Sequence, residues 1–376
     1  MFNKSYNYIN KMTKILFIGD PHIKTDNGED VDLLLLEIRR ITQEEKYDAI
    51  IVGGDVMHYH ERLFTQALNK SLHFISTLRD IALTYVMVGN HDAINNSIFL
   101  TDQHWMNALK SWDNVVIVDD VVDVGRFVLC PYVPPGRLIE ALETKLDKEE
   151  WMGRDIIFAH QEIRGCRMGA IISTEGDEWL STYPLLVSGH IHDHQQIGVN
   201  VHYPGTPLQH SFGDSDTRVL TKIEISEMVK KGVVITYLPI TVPRKKIVKG
   251  TIETISKNIA TIKKEMEKGE GKLKLKIKID ASTTEFSAFK TTNEYRELMS
   301  YGVRFQLQPR LRERGDENGE DNDKNENNEN DKNTENNDKN KSFKDVLEEM
   351  MGEDEPLVKS LYDEIILEKI VLPFEL

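Results

Sequence analysis

Between Lys14 and Asp92, short apolar runs alternate with amphipathic stretches. "KILFIGD" and "DAIIVGGD" are continuously apolar until they end in glycine and aspartate, which predicts strands buried on both faces. "VDLLLLEIRRI" and the segment from Arg62 to Arg79 read as helices, and "LTYVMVGNHD" adds a third strand that runs straight into Gly89, Asn90, His91 and Asp92. Such βα alternation predicts an α/β domain whose sheet is covered by helices, and in open sheets of that kind ligands gather where strands end. The pattern then changes. "NVVIVD", "RFVLCPYV", "DIIFAH", "LLVSGHIH", "GVNVHYPG", "TRVLTKIEI" and "GVVITYLPI" are short strands with few helices between them, predicting a second sheet packed on the first.

The polar positions divide the rest of the chain. Residues 1–13 read as an N-terminal extension, 14–241 as the main domain, 242–312 as a small α+β capping unit of βαβαβ order, 313–340 as an acidic, Asn-rich disordered linker, and 341–376 as a helical segment. In "KLKLKIKI" the alternation is strict, so Lys272, Lys274, Lys276 and Lys278 share one strand face. That face is either a solvated surface over a small core or a stripe that tracks a phosphate backbone. In the final segment Phe343, Val346, Leu347, Met350 and Met351 fall on one helix face, with Leu357, Leu361 and Ile365 forming a second stripe. Two short amphipathic helices on a tether have no core of their own, which predicts a docking function.

Charge changes the picture once it is located. The formal net charge is -15, but residues 313–340 carry -7 of it and 341–376 carry -6, leaving -2 for the first 312 residues. An anionic substrate is therefore compatible with the folded part. The two cysteines, Cys130 and Cys166, make no disulfide framework or zinc-finger spacing and read as buried thiols. The N-terminus lacks the apolar core of a signal peptide, and no apolar run nears the ~20 residues of a membrane span. A soluble, intracellular protein is expected.

Five strand ends finish in metal-ligand residues: Asp20 and His22 in "GDPH", Asp55 and His58 in "GGDVMH", Asn90, His91 and Asp92 in "GNHD", His160 in "FAHQ", and His190 and His192 in "SGHIH". One such end is ordinary. Five in one pair of sheets point to a metal centre rather than to satisfied core histidines. Carboxylate, imidazole and amide ligands without thiolate suit manganese, iron or zinc in a hydrolytic site. Two divalent ions against two aspartates leave surplus positive charge, which favours phosphoester hydrolysis over cleavage of a neutral amide or sugar.

The ordered set D-x-H, G-D-x-x-H, G-N-H-D, lone His and G-H-x-H resembles the calcineurin-like metallophosphoesterase superfamily over roughly residues 14 to 240. That resemblance implies a four-layer α/β/β/α sandwich holding two divalent ions, most often manganese. It implies that Asp20, His22 and His192 hold one ion, that Asn90, His160 and His190 hold the other, and that Asp55 bridges them. His91 would stabilise the transition state or protonate the leaving oxygen, with Asp92 near enough to orient it.

Within the superfamily, "GDVMH", the "HYPGTP" turn after the last metal motif, and the order of the parts resemble DNA repair nucleases of the SbcD type. This implies exonuclease and endonuclease chemistry on DNA in repair or recombination, a homodimer, and docking of residues 341–376 on an SbcC-like coiled-coil ATPase. His58 is associated there with exonucleolytic cutting, although it could equally be a residue that supports Asp55. His60, His73, His104, His194, His202 and His210 lie outside the motifs and read as surface or packing residues. Arg164, Arg167 and Arg218 could touch DNA or be solvated or salt-bridged. A phosphodiesterase or phosphatase acting on a small molecule or phosphoprotein would share every ligand, and a non-catalytic scaffold would keep the fold alone.

Overall fold

The computed structural model describes residues 12–226, 229, 232–269 and 272–309. The expectations for the N-terminal extension, the acidic linker and the amphipathic C-terminal segment lie outside the described residues, apart from the start of the first strand. In chain order the main domain contains β1 (Met12–Ile18), α1 (Gly28–Glu44), β2 (Ala49–Val52), α2 (Thr65–Arg79), β3 (Leu83–Met87) and β4 (Val115–Val118). There follow β5 (Val122–Asp123), β6 (Phe127–Cys130), the short helices α3 (Leu138–Glu143) and α4 (Lys148–Met152), and β7 (Ile156–Ala159). A small hairpin, β8 (Arg167–Met168) and β9 (Ile171–Ile172), precedes β10 (Leu185–Ser188), β11 (Gln195–Ile197), β12 (Val201–Tyr203), β13 (Val219–Ser226) and β14 (Val233–Pro239).

These strands form two six-stranded sheets, ordered β14-β13-β1-β2-β3-β4 and β11-β12-β10-β7-β6-β5. The period of two along each strand explains why the runs are continuously apolar. In β1, Ile15 and Phe17 enter the core between the sheets, while Leu16 and Ile18 face α1 and α2. In β7, Ile156 and Phe158 enter the same central core, while Ile157 and Ala159 face the α3 and α4 side. Phe17 and Phe158 stack across the gap with ring centroids 5.8 Å apart, and removing an aromatic from such a place costs about 3–5 kcal/mol. The result is the expected α/β/β/α sandwich. Sequence reading missed the β8–β9 hairpin, whose Ile171 and Ile172 are exposed and so give no burial pattern.

Register brings the strand ends together. β1, β2 and β3 are parallel, with Ile18 beside Val52 and Val52 beside Val86. Asp20, Asp55 and Asn90 therefore leave one level of the sheet at the same edge. In the other sheet β7 and β10 are parallel with Ala159 beside Ser188, which places His160 and His190 together.

After the sandwich come β15 (Arg244–Gly250), α5 (Ile252–Lys268), β16 (Leu273–Ala281), α6 (Thr283–Phe289), α7 (Asn293–Ser300) and β17 (Arg304–Pro309). The three strands make a parallel sheet ordered β15-β16-β17 with its own apolar cluster around Leu275, Ile277 and Ile279. The lysine face of β16 turns partly inward. Lys274 reaches the Asp30 carboxylate of α1 at 2.7 Å, and Lys276 lies over the Phe212 ring at 4.8 Å. Packing uses these two lysines in addition to whatever they offer an anion.

Candidate metal centre

The site stands where two glycines let the sheet ends converge. A Cβ on Gly89 would lie 2.1 Å from Asp55 Oδ1, and one on Gly189 would lie 2.4 Å from Asp20 Oδ1 and 2.3 Å from the Gly53 carbonyl. Three ligand candidates, His22 (φ 42), Asp55 (φ 47) and His190 (φ 75), hold left-handed backbone conformations. Each costs of order 1–3 kcal/mol for such a residue, and strain of this kind collects at functional sites.

His160 Nδ1 sits 2.7 Å from the Gly53 carbonyl and donates to it, which turns Nε2 inward. That Nε2 is 3.0 Å from Asn90 Oδ1 and 3.4 Å from Asp55 Oδ2. His190 Nδ1 approaches the same amide oxygen at 3.0 Å. On the other side His22 Nε2 lies 3.1 Å from His192 Nε2 and 3.5 Å from Asp55 Oδ2. Asp55 thus stands between two ligand groups. It shares mutual reach with His160 and His190 in one, and with Asp20 and His22 in the other.

The donor set fits divalent cations. Asp20 Oδ2 accepts the His190 amide at 2.7 Å, yet Oδ1 is buried with no hydrogen-bond partner, an arrangement that costs about 1–3 kcal/mol unless something fills it. Two nitrogens about 2.1 Å from a shared ion stand roughly 3 Å apart, which is the spacing of His22 and His192. All seven residues expected as ligands therefore lie in one cluster.

Electrostatics point the same way. Burial, helped by the neighbouring Asp55, pushes the Asp20 carboxyl up to about 8. Burial works to raise Asp55 too, but the His160 and His22 imidazoles hold it well below the usual carboxylate range. Burial works to lower His160, but the carboxylates of Asp55 and Asp20 push it up to about 9. Near neutral pH the metal-free site therefore keeps protons on Asp20 and His160 that a cation must displace. Apparent affinity should rise with pH and level off above about 9, with proton release visible by calorimetry in buffers of different protonation enthalpy. Binding that is flat between about pH 6 and 9 would refute this.

His91 is placed differently from the ligands. Its Nδ1 donates to the His58 carbonyl at 2.5 Å and its Nε2 is 4.0 Å from Asp55 Oδ2. Its side chain keeps 26 % of its surface accessible, against 2 % for Asp55. It lines both a cavity of about 440 Å³ shared with Arg167, His190, His192 and Asp214, and a second of about 500 Å³ that includes Tyr59 and Trp105. The His58 ring supports His22, Nδ1 to Nδ1 at 3.3 Å, rather than Asp55, and burial pushes it down to about 4.

Two expectations need correction. Asp92 does not orient the His91 ring: its buried carboxylate accepts the amides of Val56, Met57 and Gly89 and the Trp105 indole, tying two loops together. Arg218 is buried, donating to Thr206 and to the Ser215 carbonyl, so it braces the fold instead of facing DNA. Of the two readings open for His210, surface or packing, the structure shows packing, with its ring centroid 4.4 Å from that of His22 and 5.0 Å from that of His192. His60 does pack, against the His91 ring at 4.1 Å. Nothing in the spacing of "TPLQHSFGD" signals that this loop folds back onto the metal motifs.

Fold and ligand cluster together define a metal-dependent phosphoester hydrolase, and the chain belongs to the calcineurin-like phosphoesterase family, whose pattern matches residues 13–211. Proteins of this family use divalent metals. Two viral relatives are similar over most of their length. One, named as phosphoesterase 078R of Invertebrate iridescent virus 3, is 40% identical over 301 residues, covering 78% of this chain and 84% of the relative. The other, named as phosphoesterase 244L of Invertebrate iridescent virus 6, is 43% identical over 290 residues, covering 74% and 97%. Among the described residues no helix is long and apolar enough to cross a membrane.

Proposed function

We propose that the chain is a two-metal, manganese-dependent nuclease of the SbcD type that hydrolyses phosphodiester bonds in DNA. The observation that carries this reading is the place of His91 between two open cavities. A phosphodiester has a substituent on each side of phosphorus, and an imidazole between two spaces can meet the phosphate while both substituents find room. Tyr59 and Trp105 in the second cavity offer flat surfaces of the kind on which bases stack. Lys24 beside His58 and Arg167 at the rim add positive charge.

Divalent ions bound here would supply Lewis acidity toward the phosphoryl oxygens and a water nucleophile at neutral pH. The chain's own residues do the rest. Asp20, His22, Asp55, Asn90, His160, His190 and His192 hold the charge in place. The His58 carbonyl fixes the His91 ring so that Nε2 faces the cavity, where its protonated form can give a hydrogen bond, then a proton, to the leaving oxygen.

The deciding assay compares manganese-dependent release of nucleotides from linear DNA with hydrolysis of nitrophenyl phosphate esters. DNA should be the better substrate, and its binding should weaken at least about tenfold between roughly 50 and 200 mM salt. Hydrolysis of the small esters with DNA left intact would instead assign the site to a small-molecule phosphodiesterase or phosphatase.

A further inference from the structure

His210 belongs to none of the metal motifs, yet its ring stands against His22 and His192. One nitrogen of each of these three residues lies within 4.8 Å of the other two. Both ring nitrogens of His210 are closed off from solvent and have no hydrogen-bond partner. A neutral imidazole carries a donor and an acceptor, so burying both unpaired is unfavourable unless a ligand completes them.

The backbone here is held on every side. The Asp214 carboxylate accepts the amides of His210 and Ser211 at 2.7 and 3.0 Å. Lys245, from the first strand of the capping sheet, donates through Nζ to the carbonyls of Gln209 and His210 at 2.5 and 3.2 Å. Its own amide donates to Gln209 Oε1 at 2.6 Å. An imidazole fixed so firmly and left without a partner is what a preorganised metal ligand looks like before its ion is counted.

We propose that His210 is an additional ligand of the ion held by Asp20, His22 and His192, so that this position is built on three imidazoles while its neighbour has two imidazoles and an amide. The inference rests on the metal-centre reading and not on DNA being the substrate. Imidazole favours cobalt and zinc over manganese more than carboxylate does, so the extra nitrogen should tighten and bias one position of the pair.

The test is calorimetric titration of full-length protein with cobalt and with manganese, for wild type, His210→Leu and the more conservative His210→Gln, with cobalt absorption spectra recorded alongside. In His210→Leu one of the two ions should bind about tenfold or more weakly. The loss should be greater for cobalt than for manganese, the cobalt spectrum should change, and the melting temperature in chelator should not fall. His210→Gln should lie between wild type and His210→Leu. Superimposable isotherms and spectra would overturn the proposal. So would an equal loss for both metals with a lower melting temperature in chelator, which marks a packing residue. Wild type that takes up two ions but leaves DNA intact removes the nuclease reading and keeps this one, whereas wild type that takes up none removes both.

Discussion

Replacing Asp55 with alanine should cost the protein both ions, taking measured metal content from about two per chain to fewer than about one. The carboxylate is the group common to both ligand clusters, with Oδ2 3.4 Å from His160 Nε2 and 3.5 Å from His22 Nε2. Its removal takes away a ligand on each side and the negative charge that lets two dications sit close together. A second loss is mechanical, because Asp55 Oδ1 accepts the His91 amide at 2.8 Å and so anchors the loop that presents the imidazole. Asp55→Asn preserves size and that anchor but not the charge. If charge is the main requirement, its metal content should fall nearly as far as that of Asp55→Ala. Elemental analysis that still finds two ions in Asp55→Ala would end the assignment of the bridge.

His91→Asn should leave metal content unchanged and slow hydrolysis at least about 100-fold, the lower end of what a positioned proton donor contributes. The amide that reaches Asp55 belongs to the backbone and survives any substitution at this position, so the metal cluster keeps its support. What disappears is the ring that the His58 carbonyl aims into the cavity. Rate and metal content must be measured on the same preparation. Wild-type turnover in that variant would remove His91 from the chemistry, and loss of metal would make it a structural residue.

Much of the sandwich could be read from the sequence because its strands are buried on both faces, and the runs around Leu16, Ile51, Val86 and Phe158 carry that burial as unbroken apolarity. The motif residues were legible because each follows such a run directly, and parallel register then fixes that they meet. Other features depend on contacts that no local pattern encodes. Asp92 reads as a partner for its neighbour His91, but its carboxylate meets four donors from two other segments as well as its own loop. His210 reads as one more polar loop residue, because its ring meets His22, far earlier in the chain, and His192 of another motif, while its backbone is held by Asp214 and by Lys245 of a separate sheet. The stripe of lysines on β16 was ambiguous for the same reason, since the Asp30 carboxylate that engages Lys274 lies 244 positions earlier.

The left-handed conformations of His22, Asp55 and His190 set a conflict between durability and activity. Three such residues together cost several kcal/mol, a sizeable share of the 5–15 kcal/mol that keeps a typical domain folded. Hydrogen bonds from the His22 amide to the Asp55 carbonyl and from the His190 amide to the Asp20 carboxylate offset part of this cost, and bound ions would offset more. Directed evolution for heat resistance, if run on protein stripped of metal, would therefore favour glycine or asparagine at these positions and erode the centre while improving the scaffold. The same selection with the ions present would retain all three, because each bound ion then contributes to the melting temperature through the residues that hold it.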